Sequence, residues 1–226
     1  SLLAVSGVAA SASALAADSD NMQVYKQHCA ECHGADRLGG MGPALLPENL
    51  RRLRKKMASG VIANGRIASQ MPGYGKVLSA DQITALVDLI YTPLKAVPIW
   101  GMTEISASHV EHVAMSDLPS KPQWDADPMN IFTVVETGDH HVTILDGDKF
   151  EPLARFATRF AVHGGAKYSP AGRFMYLASR DGWISKYDLY SLRVVSEIRA
   201  GINTRNVAVS SDGKYLMVGN NLPHTL

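Results

Sequence analysis

The sequence predicts a multidomain chain: a small all-α domain over residues 18–94, a proline-rich linker over 95–128, and the first part of an all-β propeller over 129–226. Three observations predict it. Between residues 21 and 91, apolar positions recur at three- and four-residue spacing, the period of amphipathic helices. Residues 92–128 hold Pro93, Pro98, Pro119, Pro122 and Pro128 with no sustained period. Beyond them, short β-runs bounded by Gly, Asp and Pro turns repeat. Ser169–Phe174 (SPAGRF) lines up with Ser210–Tyr215 (SSDGKY) at a shift of 41, and His141–Asp146 with Trp183–Asp188 at a shift of 42. A unit of about 40–45 residues with four short strands is the signature of a propeller blade. Only about two and a half units fit before Leu226, whereas propellers close with about four to eight blades. Open blades expose unpaired edges, so the chain reads as the N-terminal part of a longer protein.

The 226 residues carry a net charge of +1 with 19% charged residues, a balance that gives no footprint for nucleic acid. Residues 1–17 are small and apolar and give way abruptly to Asp18-Ser19-Asp20. They resemble the end of a signal peptide, with Ala14-Leu15-Ala16 as the cleavage site. The run is short for a membrane span. An exported protein that does not span the membrane is expected.

Asn21 to Cys32, with Met22, Val24, Tyr25 and Cys29 on one stripe, reads as a helix that delivers Cys29-Ala30-Glu31-Cys32-His33. These are the only two cysteines in the chain. At this spacing two thiols reach the two vinyl groups of one porphyrin, and the following His stands under the iron: covalent attachment of haem c. A redox dithiol has no use for His33 and sits in a βαβ pattern. A zinc site wants a second ligand pair. Covalent haem attachment occurs on the exported side of a bacterial membrane, so the expected address is the periplasm.

The loop after His33 is rich in glycine (Gly34, Gly39, Gly40, Gly42) and ends in Pro43, backbone suited to passing close to a flat cofactor. Glu48 to Ser59 reads as a second helix. Its basic run, Arg51 to Lys56 around Leu53, reads as a solvated face or as a docking surface for an acidic electron-transfer partner. Ser79 to Tyr91 is the best-defined helix, with Ser79 and Gln82 as a capping box and Ile83, Leu86, Val87 and Ile90 as its stripe.

Haem iron with one His often takes a Met on the other side. Most methionines only pack cores. Met57 lies inside a helical pattern and Met41 is close behind His33, whereas Met71 lies in a Met-Pro-Gly-Tyr loop just before the terminal helix. The order of CxxCH, Asn64 to Arg66, Met71 to Tyr74 and a final helix resembles class I cytochromes c, which makes Met71 the expected distal ligand. In the linker, Trp100, Met102 and Trp124 suit a segment draped over a neighbour. His109 and His112 read as surface histidines. Strands are expected at Ile131 to Val135, His141 to Leu145, Phe174 to Ala178, Trp183 to Tyr187 and Tyr215 to Val218.

Several segments widen the resemblance: Trp100-Gly101-Met102, Ile144 to Asp148, Ala161-Val162-His163, Ser179-Arg180-Asp181-Gly182 and Tyr187-Asp188-Leu189. In this order, after a cytochrome c domain, they resemble the cytochrome cd1 family over nearly all of residues 20–226. The resemblance implies an eight-bladed propeller, of which two to three blades are present, holding a non-covalent haem d1 or dihydro-haem d1. It makes His163 the proximal ligand of that iron and places Arg180 and Arg205 near the macrocycle carboxylates, a chemistry suited to the bidentate guanidinium. From residues alone, His163 reads as a turn or core histidine and the two arginines as β-turn salt bridges.

Nitrite reductases of the family carry Arg three residues beyond the proximal His, where this chain has Ala166 followed by Lys167. The stretches Gly164 to Tyr168 and Gly201 to Asn206 look more like the family's dihydro-haem d1 dehydrogenases. That branch implies a periplasmic oxidoreductase in which haem c accepts electrons from the d1 precursor and passes them to a periplasmic electron-transfer protein. Haem d1 biosynthesis proteins are further expected partners, and a homodimer is compatible with the full-length form. Two alternatives stand: a nitrite reductase that makes nitric oxide, and a c-type electron carrier whose propeller only binds protein. Catalytic distal residues are expected beyond Leu226, so the chain alone is expected to be inactive. His224 and the pair His140-His141 are not promoted to that role.

Overall fold

The computed structural model describes residues 20–96, 98–162 and 164–226; the apolar run 1–17 and His163 lie outside them. Helices α1 (20–28), α2 (Ala30–His33), α3 (Lys55–Asn64) and α4 (Ala80–Ile90) come first. The capping box of α4 is formed: the Gln82 N–H donates to Ser79 Oγ at 3.2 Å, and the Ser79 N–H donates to Gln82 Oε1 at 2.9 Å. Its stripe of Ile83, Leu86, Val87 and Ile90 packs with Tyr25, Leu50, Ala58, Ile62 and Leu78 in one core.

The second helix does not start at Glu48. Residues 48–53 form turns, the chain is extended at Arg54 (ψ 136°), and α3 then runs Lys55–Asn64. Packing explains the shift. Leu50 is buried in the helical core, whereas Leu46 is buried against Ile202 and Leu222 of the β-part, so the intervening turns are held from two sides. A regular helix through this segment could not serve both.

Eleven strands follow among the described residues: β1 (Val110–Glu111), β2 (Ile131–Glu136), β3 (His141–Asp146), β4 (Glu151–Ala157), β5 (Lys167–Tyr168), β6 (Phe174–Ala178), β7 (Trp183–Asp188), β8 (Arg193–Arg199), β9 (Asn203–Val209), β10 (Leu216–Leu222) and β11 (His224–Thr225). They form three antiparallel sheets, β2-β3-β4, β1-β8-β7-β6-β5 and β11-β10-β9. The middle sheet is a four-stranded meander to which β1 adds an outer strand through Val110↔Glu197.

The sequence repeat is a repeat of hydrogen bonds. Ser169 Oγ accepts from the Phe174 N–H at 3.1 Å, and Ser210 Oγ accepts from the Tyr215 N–H at 2.9 Å. The Gly172 N–H donates to the Ser169 carbonyl at 2.8 Å and the Gly213 N–H to that of Ser210 at 2.9 Å. Neighbouring sheets then pack face to face. Val142, Ile144, Met175, Leu177 and Tyr187 fill the space between the first two, with Phe156 stacked on Tyr187 at 4.2 Å. Ala178, Ile184 and Val207 fill the next.

The segment between helices and sheets carries α5 (Met102–Ala107) and two anchors. The Trp100 indole N–H donates to the Arg199 carbonyl at 2.8 Å, and that of Trp124 to the Leu189 carbonyl at 2.6 Å. Met102, in contrast, is exposed. No helix among the described residues is long and apolar enough to cross a membrane.

Arg199 ties the two halves. Its Nη2 donates to the Leu38 carbonyl at 3.0 Å, its Nε to the Asp181 carbonyl at 2.8 Å, and its guanidinium lies 4.7 Å from the centre of the Trp100 ring. Arg199→Ala strands both carbonyls and should lower stability by about 2 kcal/mol, read as the urea midpoint of the full-length protein. An unchanged midpoint would remove Arg199 from this account.

Candidate functional site

The Cys-x-x-Cys-His motif closes a turn of helix: the Cys32 and His33 N–H groups donate to the Cys29 carbonyl at 3.2 and 2.9 Å. Cys29 and Cys32 are both free and half-buried. Burial pushes both thiols up, Cys29 to about 11 with Cys32 adding to it. A redox dithiol needs the opposite shift.

His33 is buried, and burial lowers its pKa despite the bond to Pro43, favouring the neutral ring that ligates metals. Its Nδ1 lies 2.8 Å from the Pro43 carbonyl and donates to it, which leaves the Nε2 lone pair for a metal. Gly42 packs directly on this ring. A Cβ there would lie 2.7 Å from His33 Cε1 and 2.8 Å from Nδ1, so only glycine leaves the imidazole its place. The glycine loop is fastened over the motif by Gly42 N–H to the Cys32 carbonyl at 2.6 Å and Gly39 N–H to the His33 carbonyl at 2.9 Å. These residues fit a covalently held haem.

Met71 is half-buried against the same core as Cys29, whereas Met41 and Met57 are 49% and 57% exposed. Its loop is fixed at both ends. The Arg66 N–H donates to the Met71 carbonyl at 3.1 Å, and the Tyr74 hydroxyl donates to the His28 carbonyl at 2.7 Å, next to the cysteine motif.

The two predicted carboxylate-binding arginines also come together. Arg180 sits in the turn between β6 and β7 and Arg205 on β9, and both line a cleft between the helical and β parts. Arg51 and Arg52, Asn203 and His224 line it as well. Sequence reasoning had assigned none of these to the site; the basic run was its only signal for Arg51 and Arg52. Arg180 is not a turn salt bridge, because no carboxylate pairs with it among the described residues. Its pKa is lowered, first by the protein surrounding its head group and then by Arg52, Arg205 and Arg66. His112 pairs with Glu197 at 3.1 Å, His109 is exposed, and His140 stacks edge-on against Phe160 at 5.3 Å.

Asp181 turns inward beside Arg180. It is 3% exposed and accepts a short hydrogen bond from Ser179. Burial raises its pKa to about 6, against the pull of Ser179, Arg199 and Arg159. The unfolded value is about 4, so the folded state holds this proton more tightly. The stability it contributes is present below about pH 4 and lost as pH rises through about 6. Asp181→Asn should therefore exceed the wild type by roughly 2 kcal/mol at pH 7 and match it near pH 4, measured by urea unfolding. No gain at pH 7 would contradict the buried acid.

Comparison with known proteins agrees in both halves. Residues 126–226 match a family described as the cytochrome D1 heme domain, and residues 16–90 one described as cytochrome C oxidase, cbb3-type, subunit III. The chain is 53% identical over 220 residues to the dihydro-haem d1 dehydrogenase of Pseudomonas aeruginosa, covering 97% of this chain and 45% of that protein. It is 26% identical over 220 residues to the nitrite reductase of Stutzerimonas stutzeri, covering 89% and 39%. A solved structure of the dihydro-haem d1 dehydrogenase NirN in complex with DHE superposes with a TM-score of 0.83 at 55% identity, over 90% of this chain and 44% of that one. The chain thus spans less than half the length of these relatives. Its first part thus matches a c-type cytochrome family and its second part a cytochrome d1 haem domain, the domain order of the cytochrome cd1 proteins that it resembles.

Proposed function

We propose that the chain supplies the haem c domain and the first blades of an eight-bladed propeller in a periplasmic dihydro-haem d1 dehydrogenase. The observation that carries this reading is the 53% identity to such an enzyme across 97% of the chain, twice the 26% shared with a nitrite reductase. In the reaction, a propionate side chain of the substrate loses two electrons and two protons and becomes an acrylate. Haem c, when bound, supplies one-electron acceptance and onward transfer to a periplasmic carrier.

The residues take their parts from this division. Cys29 and Cys32 anchor haem c, and Pro43 and Gly42 set the ring of His33 for the proximal position. Met71 would hold the haem c iron together with His33, a His/Met pair that would raise the reduction potential and suit an acceptor. His163 would hold the d1 iron, and Arg180 and Arg205 would bind macrocycle carboxylates through paired hydrogen bonds. In this reading residues 18–94, 95–128 and 129–226 are the cytochrome, linker and propeller units, and 1–17 belong to a signal peptide.

The test is to supply the full-length protein with dihydro-haem d1 and record absorption spectra and product identity. Conversion to haem d1 with stepwise reduction of haem c is the expected result. Nitrite turnover to nitric oxide with the precursor left unoxidised would replace this reading by the nitrite reductase one. No second chromophore at all would leave an electron carrier with a protein-binding propeller.

A further inference from the structure

The basic run at residues 51–56 takes no part in the haem c site, and the structure splits it. Lys55 turns to Asp88 at 2.7 Å, on the outside of the helical part. Arg51 and Arg52 turn the other way and line the cleft that also holds Arg180 and Arg205. Guanidinium groups from two remote stretches of chain thus meet across one seam.

Their surroundings differ from those of the arginines that hold a fixed partner. Arg155, Arg159 and Arg173 each hold a carboxylate, and Arg199 holds two carbonyls. The guanidinium groups of Arg51, Arg52 and Arg180 have no hydrogen-bond or ion-pair partner among the described residues. Among the described residues, the only carboxylate on the cleft wall is Glu48. Arg52, Arg205 and Arg66 all act on Arg180 with like charge. Crowded cations repel one another, and an anion with several acceptor groups relieves that repulsion.

We propose that Arg51 and Arg52 join Arg180 and Arg205 in one two-domain site for a polycarboxylate tetrapyrrole, whose binding closes the seam between helical and β parts. The proposal rests on the dehydrogenase reading for the class of ligand and adds the cytochrome side of its site. The carboxylates of a tetrapyrrole rim are spread over a flat ring, so a rigid ligand can engage forks on facing walls together. The seam is already packed alongside, where Leu46, two residues before Glu48, meets Ile202, three residues before Arg205. A ligand held at the open side would act with that contact rather than against it. Haem c then sits on the domain that the substrate itself pulls into place.

The test uses the full-length, haem c-loaded protein and coproporphyrin, a metal-free tetrapyrrole with propionates on its rim. Lacking iron, it reports the carboxylate contacts without axial ligation. Fluorescence titration should show binding that Arg51→Ala and Arg52→Ala each weaken about tenfold, as Arg180→Ala does. The ligand should also slow proteolysis within residues 92–128 of the wild type and not of the Arg51→Ala/Arg52→Ala double variant. Unfolding midpoints equal to the wild type show that the variants are folded. If both cytochrome-side variants bind as the wild type while Arg180→Ala does not, the site belongs to the propeller alone and the proposal fails, with the dehydrogenase reading intact. If the wild type binds no coproporphyrin, the site is wrong altogether, including the case in which the run instead captures an acidic protein. If all of the variants weaken binding but dihydro-haem d1 is not oxidised by the wild type, the dehydrogenase reading fails and the two-domain site stands.

Discussion

Replacing His33 by Ala in the full-length protein is expected to lower dihydro-haem d1 turnover by more than about 100-fold, the upper end of what losing a mere orienting partner of a ligand costs. The two thioether bonds would remain, so haem is still carried, but the imidazole fixed by Pro43 at 2.8 Å is gone. The absorption spectrum should change from low-spin to high-spin, and haem c should no longer reduce when substrate is added. Met71→Ala is expected to give a milder change: haem retained, the distal position open and the reduction potential lowered. Met71→His should restore the low-spin spectrum without restoring the potential. The exposed Met41 and Met57 serve as controls and should do nothing. Normal turnover in His33→Ala would mean that electrons leave the substrate by another route, and a spectral change in Met57→Ala would move the distal ligand away from Met71.

The motif behind that prediction was legible because its chemistry is local. Two thiols and an imidazole within five residues need no knowledge of tertiary structure, and neither does the Ser79–Gln82 box. The repeat was legible for a related reason: Ser169 and Ser210 make the same backbone bonds in the same turn, so the requirement recurs in the sequence. What escaped was decided by partners far away. Strand β4 carries Pro152, tolerated because β4 is an edge of its sheet and the ladder shifts register at Ile144/Leu145. Strand β9, Asn-Thr-Arg-Asn-Val-Ala-Val, shows little alternation because both its polar cleft side and its apolar contacts are supplied by neighbours. The predicted helix at Glu48 failed because Leu46 answers to Ile202 and Leu222, more than a hundred residues away. The same long-range seam brings Arg51 and Arg52 to Arg180, and nothing within either stretch announces the other.

Gly182→Ala should be the most damaging single methyl group in the β part, costing about 3–4 kcal/mol in urea unfolding and weakening ligand binding in the cleft as well. Two effects add there. The residue has φ of +94°, where an L side chain is strained, and its Cβ would overlap the Gly201 carbonyl. That carbonyl belongs to the backbone and cannot swing aside. The two chains are held at this distance because the Ala200 N–H donates to the Gly182 carbonyl at 2.8 Å. Gly172→Ala separates the effects, since Gly172 has φ of +73° but nothing within 4 Å of its Cβ position. It should cost only the backbone strain, about 1 kcal/mol. The difference between the two measures how tightly the turn carrying Arg180 is pressed against the strand leading to Arg205. Equal losses at both positions would mean that the close approach at Gly182 relaxes freely. The cleft would then be set by Arg199 and the Leu46 contact rather than by this pair of backbones.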